Sequence, residues 1–105
     1  MELLRGTLDL LLLKTVSAEP LHGYAISQRL REKTGEQIIV QEGVLYPALR
    51  RLEQRGWLES EWAYTETNRE ARFYRLTSAG RKALIAEETE WQAYVRAMSL
   101  ALAKA

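Results

Sequence analysis

The sequence predicts a mainly α fold with one small β-hairpin, which places it in the α+β class. Apolar residues recur at helical spacing in four segments of the 105-residue chain. Two shorter segments, between residues 57 and 76, alternate between apolar and polar residues as paired strands do. Hydrophobic residues make up 47% of the chain and charged residues 28%, a balance that supplies a core and argues against disorder.

The first helix is predicted from about Leu8 to Ser17, with Thr7 as its N-cap and Asp9 in its first turn. Its leucines cover most of the helix circumference: Leu8, Leu10, Leu11, Leu12 and Leu13. A helix that is apolar on nearly all sides is buried on nearly all sides, which in so small a chain indicates burial partly by a second chain. A central helix of a monomer is the alternative.

The second helix is predicted from Gly23 to Lys33, after Pro20 has ended the first helix. Gly35 is expected to end the second helix at its C-cap. The β-branched run from Ile38 to Val40 is too short for a helix, so it predicts a small strand or an extended connector.

The third helix is predicted from about Glu42 to Arg55, and Gly56 stops it. Leucines at i, i+4 and i+7 form a single buried stripe: Leu45, Leu49 and Leu52. A step of about 100° per residue from this stripe gives the outward face of the helix. That face consists of Gly43, Pro47, Arg50 and Gln54, with Tyr46 and Arg51 on its flanks.

A hairpin follows, with strands predicted from Trp57 to Trp62 and from Arg72 to Leu76 and a polar turn from Thr65 to Arg69. The last predicted element is one long helix from about Ser78 to Ala103, with Thr77 as its N-cap. Its apolar stripe comprises Leu84, Trp91, Val95, Met98 and Leu102. A helix of about 25 residues spans roughly 38 Å, which exceeds the size of a compact body built from the rest. Its far end therefore needs a partner, and a second copy is the simplest one.

The composition excludes several classes of function. With 15 Lys and Arg residues against 14 Asp and Glu residues, the net charge is +1, so nucleic-acid binding requires a local positive cluster. Cysteine is absent and His22 is the single histidine, which leaves no thiolate nucleophile, catalytic triad or histidine-rich metal site. We therefore predict no enzyme activity, no cofactor and no metal. His22 is expected to cap the second helix or to bond a backbone carbonyl.

The longest apolar run near the start, from Leu10 to Leu13, is too short for a membrane span or a signal peptide. The absence of cysteine suits a reducing compartment, so a cytoplasmic protein is expected. The chain shows neither a repeat nor a linker. Residues 1–76 and the helical residues 77–105 are therefore predicted to form one structural unit.

The order of these elements is that of a winged helix-turn-helix. In that arrangement the third helix enters the DNA major groove, and the hairpin forms a wing along the phosphate backbone. The outward side of the third helix carries arginines, and the hairpin carries Arg69, Arg72 and Arg75. Residues 1–76 are thus predicted to bind double-stranded DNA. A winged-helix module used only for protein association is the alternative, which would explain the low net charge and the acidic hairpin residues.

Four segments sharpen this interpretation. They read LRGTLDLLLL at residues 4–13, PLHGYAI at 20–26, GVLYPALRRLEQRGWLE at 43–59 and RFYRLTSAGRKAL at 72–84. In order and spacing the chain resembles the PadR family of bacterial transcriptional regulators, in its type with a single long helix after the wing. The resemblance implies a homodimeric repressor that binds a pseudo-palindromic operator. It also implies that the last helix of each subunit packs against the first helix of the other.

The helix faces and the resemblance together define two sets of candidate residues. The candidates for DNA contact are Tyr24, Gly43, Val44, Tyr46, Pro47, Arg50, Arg51, Arg69 and Arg72. The candidates for the dimer interface are Leu8, Leu11, Leu12, Leu84, Trp91, Tyr94, Val95, Met98 and Leu102. Alternatives stay open for three of the DNA candidates: Tyr46 as a packing residue, Arg50 as a solvated arginine, and Arg51 in an ion pair with an acidic neighbour.

Trp91 also raises the question of an effector. Some family members bind flat aromatic ligands in a dimer-interface cavity that includes a tryptophan on this helix. The resemblance therefore implies a small planar aromatic effector at Trp91, with ordinary interface packing as the alternative. The chain departs from many relatives at Gln41, where a capping serine is common, and at Val44, where threonine is common. Glu70 and Ala71 interrupt a wing that is often basic.

Overall fold

The computed structural model describes residues 1–4 and 6–104. The elements are α1 (Thr7–Thr15), β1 (Leu21–His22), α2 (Gly23–Lys33), α3 (Glu42–Gln54), β2 (Leu58–Tyr64), β3 (Glu70–Leu76) and α4 (Ser78–Leu102). The three strands form one antiparallel sheet in the order β1-β3-β2. The predicted α+β class is confirmed, and the hairpin gains a third, very short strand. No helix in the described part of the chain is both long and apolar enough to cross a membrane.

The core lies where α1, α2 and α3 meet the base of the sheet. The predicted stripe of α3 is confirmed, because Leu45, Leu49 and Leu52 are all fully buried. Leu12 of α1 and Leu84 of α4 belong to the same core, with 0% and 5% of their surfaces exposed. The expectation that these two leucines face a second chain is therefore wrong, since the chain buries them itself.

Helix α1 begins one residue earlier than predicted. Gly6 occupies the N-cap in the left-handed region, with a φ of +85°, and Thr7 is the first helical residue. The Thr7 hydroxyl donates to the Leu4 carbonyl at 2.6 Å instead of capping the helix. The prediction of Thr7 as N-cap is thus wrong, since a glycine directly before it can adopt a backbone conformation that threonine cannot.

Helix α2 has the predicted bounds, and His22 caps it as expected. The His22 Nδ1 atom accepts a hydrogen bond from the Ala25 amide at 3.4 Å. Thr34 is the C-cap, and Gly35 follows it with a φ of +58°. Leu21 and His22 form β1 and pair with Tyr74 and Phe73 of β3. Strand β1 is too short to leave a pattern in the sequence. The run from residue 38 to 40 forms no strand and lies in the connection between α2 and α3.

The wing strands extend further toward the tip than predicted. Seven register pairs join β2 to β3, from Leu58 opposite Leu76 to Tyr64 opposite Glu70. The tip closes through a hydrogen bond from the Thr65 amide to the Arg69 carbonyl at 2.8 Å. Residues 65–69 therefore form the turn that the sequence predicts.

Helix α4 is anchored at its start and exposed at its end. The Thr77 hydroxyl accepts from the Gly80 amide at 2.9 Å and donates to the Gly56 carbonyl at 2.6 Å, so the predicted N-cap is confirmed. Gly80 lies so close to the Trp57 carbonyl that a β-carbon would come within 2.0 Å of its oxygen. From residue 92 to residue 104 every side chain is exposed. The end of α4 is therefore an arm, and the chain as a whole measures 57 × 29 × 22 Å.

Candidate nucleic-acid interface

A groove of about 1410 Å³ runs between the helix-turn-helix and the wing. Its floor and walls come from the start of α2, one side of α3 and the face of the wing that continues the core-facing side of the sheet. Five of the predicted DNA contacts line it: Tyr24, Tyr46, Arg50, Arg69 and Arg72. Residues that are far apart in the sequence thus converge on one concave surface.

Tyr46 is held at this groove by packing against α2. Its ring lies over Gly23, where a β-carbon would come within 2.5 Å of the phenol oxygen. The side chain is nevertheless 41% exposed, so the packing and the contact roles proposed for it are compatible. Tyr24 is more exposed, at 64%, and its hydroxyl accepts from the Gln28 side-chain amide at 3.0 Å.

Three arginines give the groove its available positive charge. Among the described residues, Arg50, Arg69 and Arg72 have no carboxylate oxygen within 4.0 Å. Arg29, the other arginine of the lining, is paired with Glu19 at 3.1 Å. We refer to Arg50, Arg69 and Arg72 as the groove arginines. Their guanidinium donors remain available to an anion, which is the condition for a phosphate or guanine contact.

Carboxylates also line the groove, so its field is mixed. Glu53 accepts a hydrogen bond from the Ser60 hydroxyl at 2.6 Å, and the exposed residues Glu42, Glu66 and Glu70 also line the groove. The buried phenol of Tyr74 has a raised pKa, chiefly because burial disfavours the phenolate and also because Glu53 is near. Arg72 and Arg50 oppose this rise in the pKa of Tyr74, because a positive charge favours the phenolate.

The outward face of α3 forms a ridge beside the groove. Gly43, Val44 and Pro47 are all exposed there, with Val44 at 50%. A β-carbon at Gly43 would meet nothing within 4 Å, so the backbone itself is accessible. Gln41 is the N-cap and forms no side-chain cap hydrogen bond, in keeping with its departure from a capping serine. The first turn of α3 therefore presents few long side chains on its outward face, which would allow its backbone to approach DNA closely.

Arg51 is held away from the groove. It donates to Asp9 of α1 at 2.6 Å, and Arg55 lies 3.5 Å from the other carboxylate oxygen of Asp9. The structure thus supports the alternative for Arg51, an ion pair with an acidic neighbour, and that neighbour is Asp9. This pairing ties the C-terminal half of α3 to α1.

Two aromatic residues of the wing line the groove although the sequence patterns did not single them out. Trp62 and Tyr64 are 62% and 67% exposed there. The alternation of β2 already places Trp62 on the side of Leu58, which is the core-facing side. The alternation thus predicts the face on which Trp62 lies. Only the structure shows that the core ends before Trp62, which leaves the indole exposed in the groove.

Four of the predicted interface residues of α4 form an exposed stripe. Tyr94 is 54% exposed, Val95 and Met98 are each 40% exposed, and Leu102 is 76% exposed. Trp91 is half-buried at an open groove of about 770 Å³ that Leu4 and Leu10 also line. Its ring centre lies 6.2 Å from that of Tyr94. Leu8 and Leu11 of α1 are half-buried as well, so part of each remains open to a partner.

No cluster of three or more His, Asp and Glu side chains suited to a metal ion occurs in residues 1–4 and 6–104. The site is instead a cleft between a helix-turn-helix and a wing, lined by arginines and tyrosines. The fold and this cleft define a winged helix-turn-helix protein with a long C-terminal helix.

Comparison with known proteins gives the family. Residues 12–86 match the sequence model of the transcriptional regulator PadR-like family. The chain belongs to the PadR-like family of transcriptional regulators, which consists of regulators rather than enzymes. It is also 29% identical over 90 residues to an uncharacterized protein of Lysinibacillus sphaericus, covering 86% of this chain and 83% of that one.

Solved structures agree in fold. A transcriptional regulator from Clostridium thermocellum has a TM-score of 0.85 at 30% identity, with 94% of this chain and 96% of that chain covered. A PadR family regulator from Eggerthella lenta has a TM-score of 0.83 at 33% identity, with 96% and 86% covered. A PadR family regulator from Clostridium difficile has a TM-score of 0.82 at 25% identity, with 93% and 100% covered.

Proposed function

We propose that the chain is a sequence-specific, double-stranded DNA-binding repressor that acts as a homodimer on an inverted-repeat operator. One observation carries this proposal: the groove arginines converge on the cleft between α3 and the wing without a carboxylate partner among the described residues. A module used only for protein association would have no need for three arginines without an ion-pair partner on one concave surface. Such a regulator would act in the cytoplasm, where a bacterial chromosome lies.

The proposed DNA complex follows from the faces of α3. Its N-terminal half enters the major groove, because Gly43 and Pro47 are small and exposed and leave the backbone there accessible. Arg50, one turn further along, reaches a guanine edge or a phosphate. Arg69 and Arg72 of the wing hold the phosphate backbone beside it. Tyr46 donates its hydroxyl to a phosphate from the wall of the cleft.

The proposed dimer forms through α4. Its stripe of apolar residues is exposed over the last three turns, and an exposed stripe of that kind is stabilised by burial against another chain. Two copies related by a twofold axis would present their α3 helices to successive major grooves, about 34 Å apart.

The test compares two charge-matched variants for binding to mixed-sequence duplex DNA over a series of salt concentrations. Arg50→Gln with Arg72→Gln removes two groove arginines, and Arg31→Gln with Arg75→Gln removes two arginines that are already paired with Glu36 and Glu59. We expect a steep negative salt slope for the unaltered chain, a shallower one for the first variant and little change for the second. A salt slope near zero for the unaltered chain would support the protein-association module instead.

A planar aromatic effector is proposed for the groove at Trp91. The open space there is bordered by the indole and by Tyr94, so a flat ligand could stack between α1 and α4. A ligand that prefers one spacing of the two α3 helices would alter operator affinity. Titration with planar dyes, with tryptophan fluorescence and DNA affinity as readouts, should show effects that Trp91→Ala abolishes. Responses that persist in that variant would rule out Trp91 as the site.

A further inference from the structure

Trp62 and Arg72 form a stacked pair on the wing. They lie opposite each other in the register of β2 and β3, and the central carbon of the guanidinium is 5.2 Å from the centre of the indole ring. This distance is within the range of an attractive cation–π contact. The pair lies on the side of the wing that borders the groove.

Core packing does not account for the indole. The same face of β2 begins with Leu58, which is buried, but by Trp62 it has left the body and 62% of that side chain is exposed. A large aromatic residue at so exposed a position gains little from burial. Its contact with Arg72 is therefore the interaction that distinguishes it from any other exposed residue of the wing.

The identity of the partner matters for Arg72. Glu70 lies on the same face of β3 only two residues away, yet it forms no ion pair with Arg72 in the described structure. A carboxylate would occupy the guanidinium N–H donors and cancel their charge. The face of an indole leaves the charge intact and the N–H donors at the guanidinium edge accessible. Stacking thus orders the Arg72 side chain and leaves its N–H donors free to bind an anion.

We propose that Trp62 is a positioning residue for DNA backbone binding: it holds the Arg72 guanidinium at the cleft, ready for a phosphate of duplex DNA. This inference rests on the proposed function. A guanidinium ordered before binding loses less conformational entropy when the phosphate arrives, so the same contact yields a higher affinity.

A double-mutant cycle tests this proposal, with mixed-sequence duplex DNA as the probe and a salt series as before. Trp62→Leu should weaken binding about 2- to 5-fold for each engaged wing, the effect of removing an exposed cation–π contact. Trp62→Phe should recover most of the affinity, because a phenyl ring also stacks on a guanidinium. In an Arg72→Gln background, Trp62→Leu should have no further effect, since the residue that it positions is absent.

Two further variants serve as controls. Arg75→Lys makes the same exchange as Arg72→Lys at a wing arginine that lies outside the groove and is paired with Glu59, so it should leave affinity unchanged. Arg72→Lys keeps the charge but removes the planar group that stacks on the indole, so it should weaken binding, and Trp62→Leu should have little further effect in that background. Unchanged affinity for both Trp62→Leu and Arg72→Lys would overturn the inference and leave the proposed function standing. A full effect of Trp62→Leu in the Arg72→Gln background would overturn it too, because the indole would then contact DNA itself. Salt-independent binding by the unaltered chain would overturn the proposed function and this inference together.

Discussion

The ring of Tyr46 lies on the backbone of Gly23, close enough that a β-carbon at Gly23 would come within 2.6 Å of the Tyr46 Cε1 atom. This contact joins the start of α2 to the N-terminal half of α3. It also holds the Tyr46 hydroxyl at the wall of the cleft between α3 and the wing. The glycine is therefore required for the close approach of the two helices rather than for an unusual backbone angle.

Gly23→Ala should destabilise the chain by about 0.5–1.5 kcal/mol, because the added methyl group forces the end of the Tyr46 ring out of its preferred rotamer. The free energy of unfolding, measured in urea, checks this. In a Tyr46→Ala background the same substitution should cost much less, since the ring that it meets is gone. Equal costs in the two backgrounds would show that the ring does not cause the destabilisation.

Gly43→Ala should have the opposite effect on stability. A β-carbon at Gly43 meets nothing within 4 Å, and alanine favours a helix over glycine by up to about 1 kcal/mol. We expect the variant to melt at a slightly higher temperature and to bind duplex DNA more weakly, because the new methyl group lies on the face proposed to enter the major groove. Unchanged DNA affinity would place the protein–DNA contact elsewhere on α3.

Arg50→Ala should weaken DNA binding and lower the salt slope by about one unit for each phosphate that the arginine no longer neutralises, with little change in stability. Arg51→Ala should affect DNA affinity less, because Asp9 holds that arginine.

Leu49→Ala should lower the free energy of unfolding by about 2–5 kcal/mol, because the side chain is fully buried. Thermal unfolding and DNA titration of the three variants measure both quantities. If Leu49→Ala left the free energy of unfolding unchanged while Arg50→Ala lowered it, the buried face of α3 would be the one that carries Arg50.

Asp9→Asn should lower stability by about 1–2 kcal/mol, because two guanidinium groups lose a carboxylate that is only 16% exposed. Glu36→Gln is the matched control. Its ion pair with Arg31 is at the surface, so we expect a change within about 0.5 kcal/mol. Urea unfolding of the two variants tests the difference, and equal effects would show that Asp9 is no more than a surface partner.

Val95→Asp with Met98→Asp should abolish the proposed dimer, because charge would enter its apolar seam. Val95→Ile with Met98→Leu keeps both positions apolar and should leave the dimer intact. Sedimentation at several protein concentrations gives the oligomeric state. A chain that is monomeric before any substitution, yet binds DNA tightly, would refute dimerisation through α4.

Local patterns in the sequence were sufficient for the elements and for most of their faces. The stripe of Leu45, Leu49 and Leu52 predicts which side of α3 is buried, because the helical period alone relates residues three and four apart. The turn at residues 65–69 follows from its polar composition. Strand β1 could not be predicted, since two residues carry no period and pair only because β3 lies beside them.

The sequence by itself therefore determined the four helices, the hairpin, the facing of α3 and the resemblance to one family, all of which depend on near neighbours in the chain. Only the tertiary structure decided which arginines remain available, because Asp9 reaches Arg51 across 42 residues and Trp62 meets Arg72 across the hairpin. It also decided that Leu12 and Leu84 belong to the chain's own core. A helical period states which way a side chain points, whereas the group that it meets there depends on how distant elements pack.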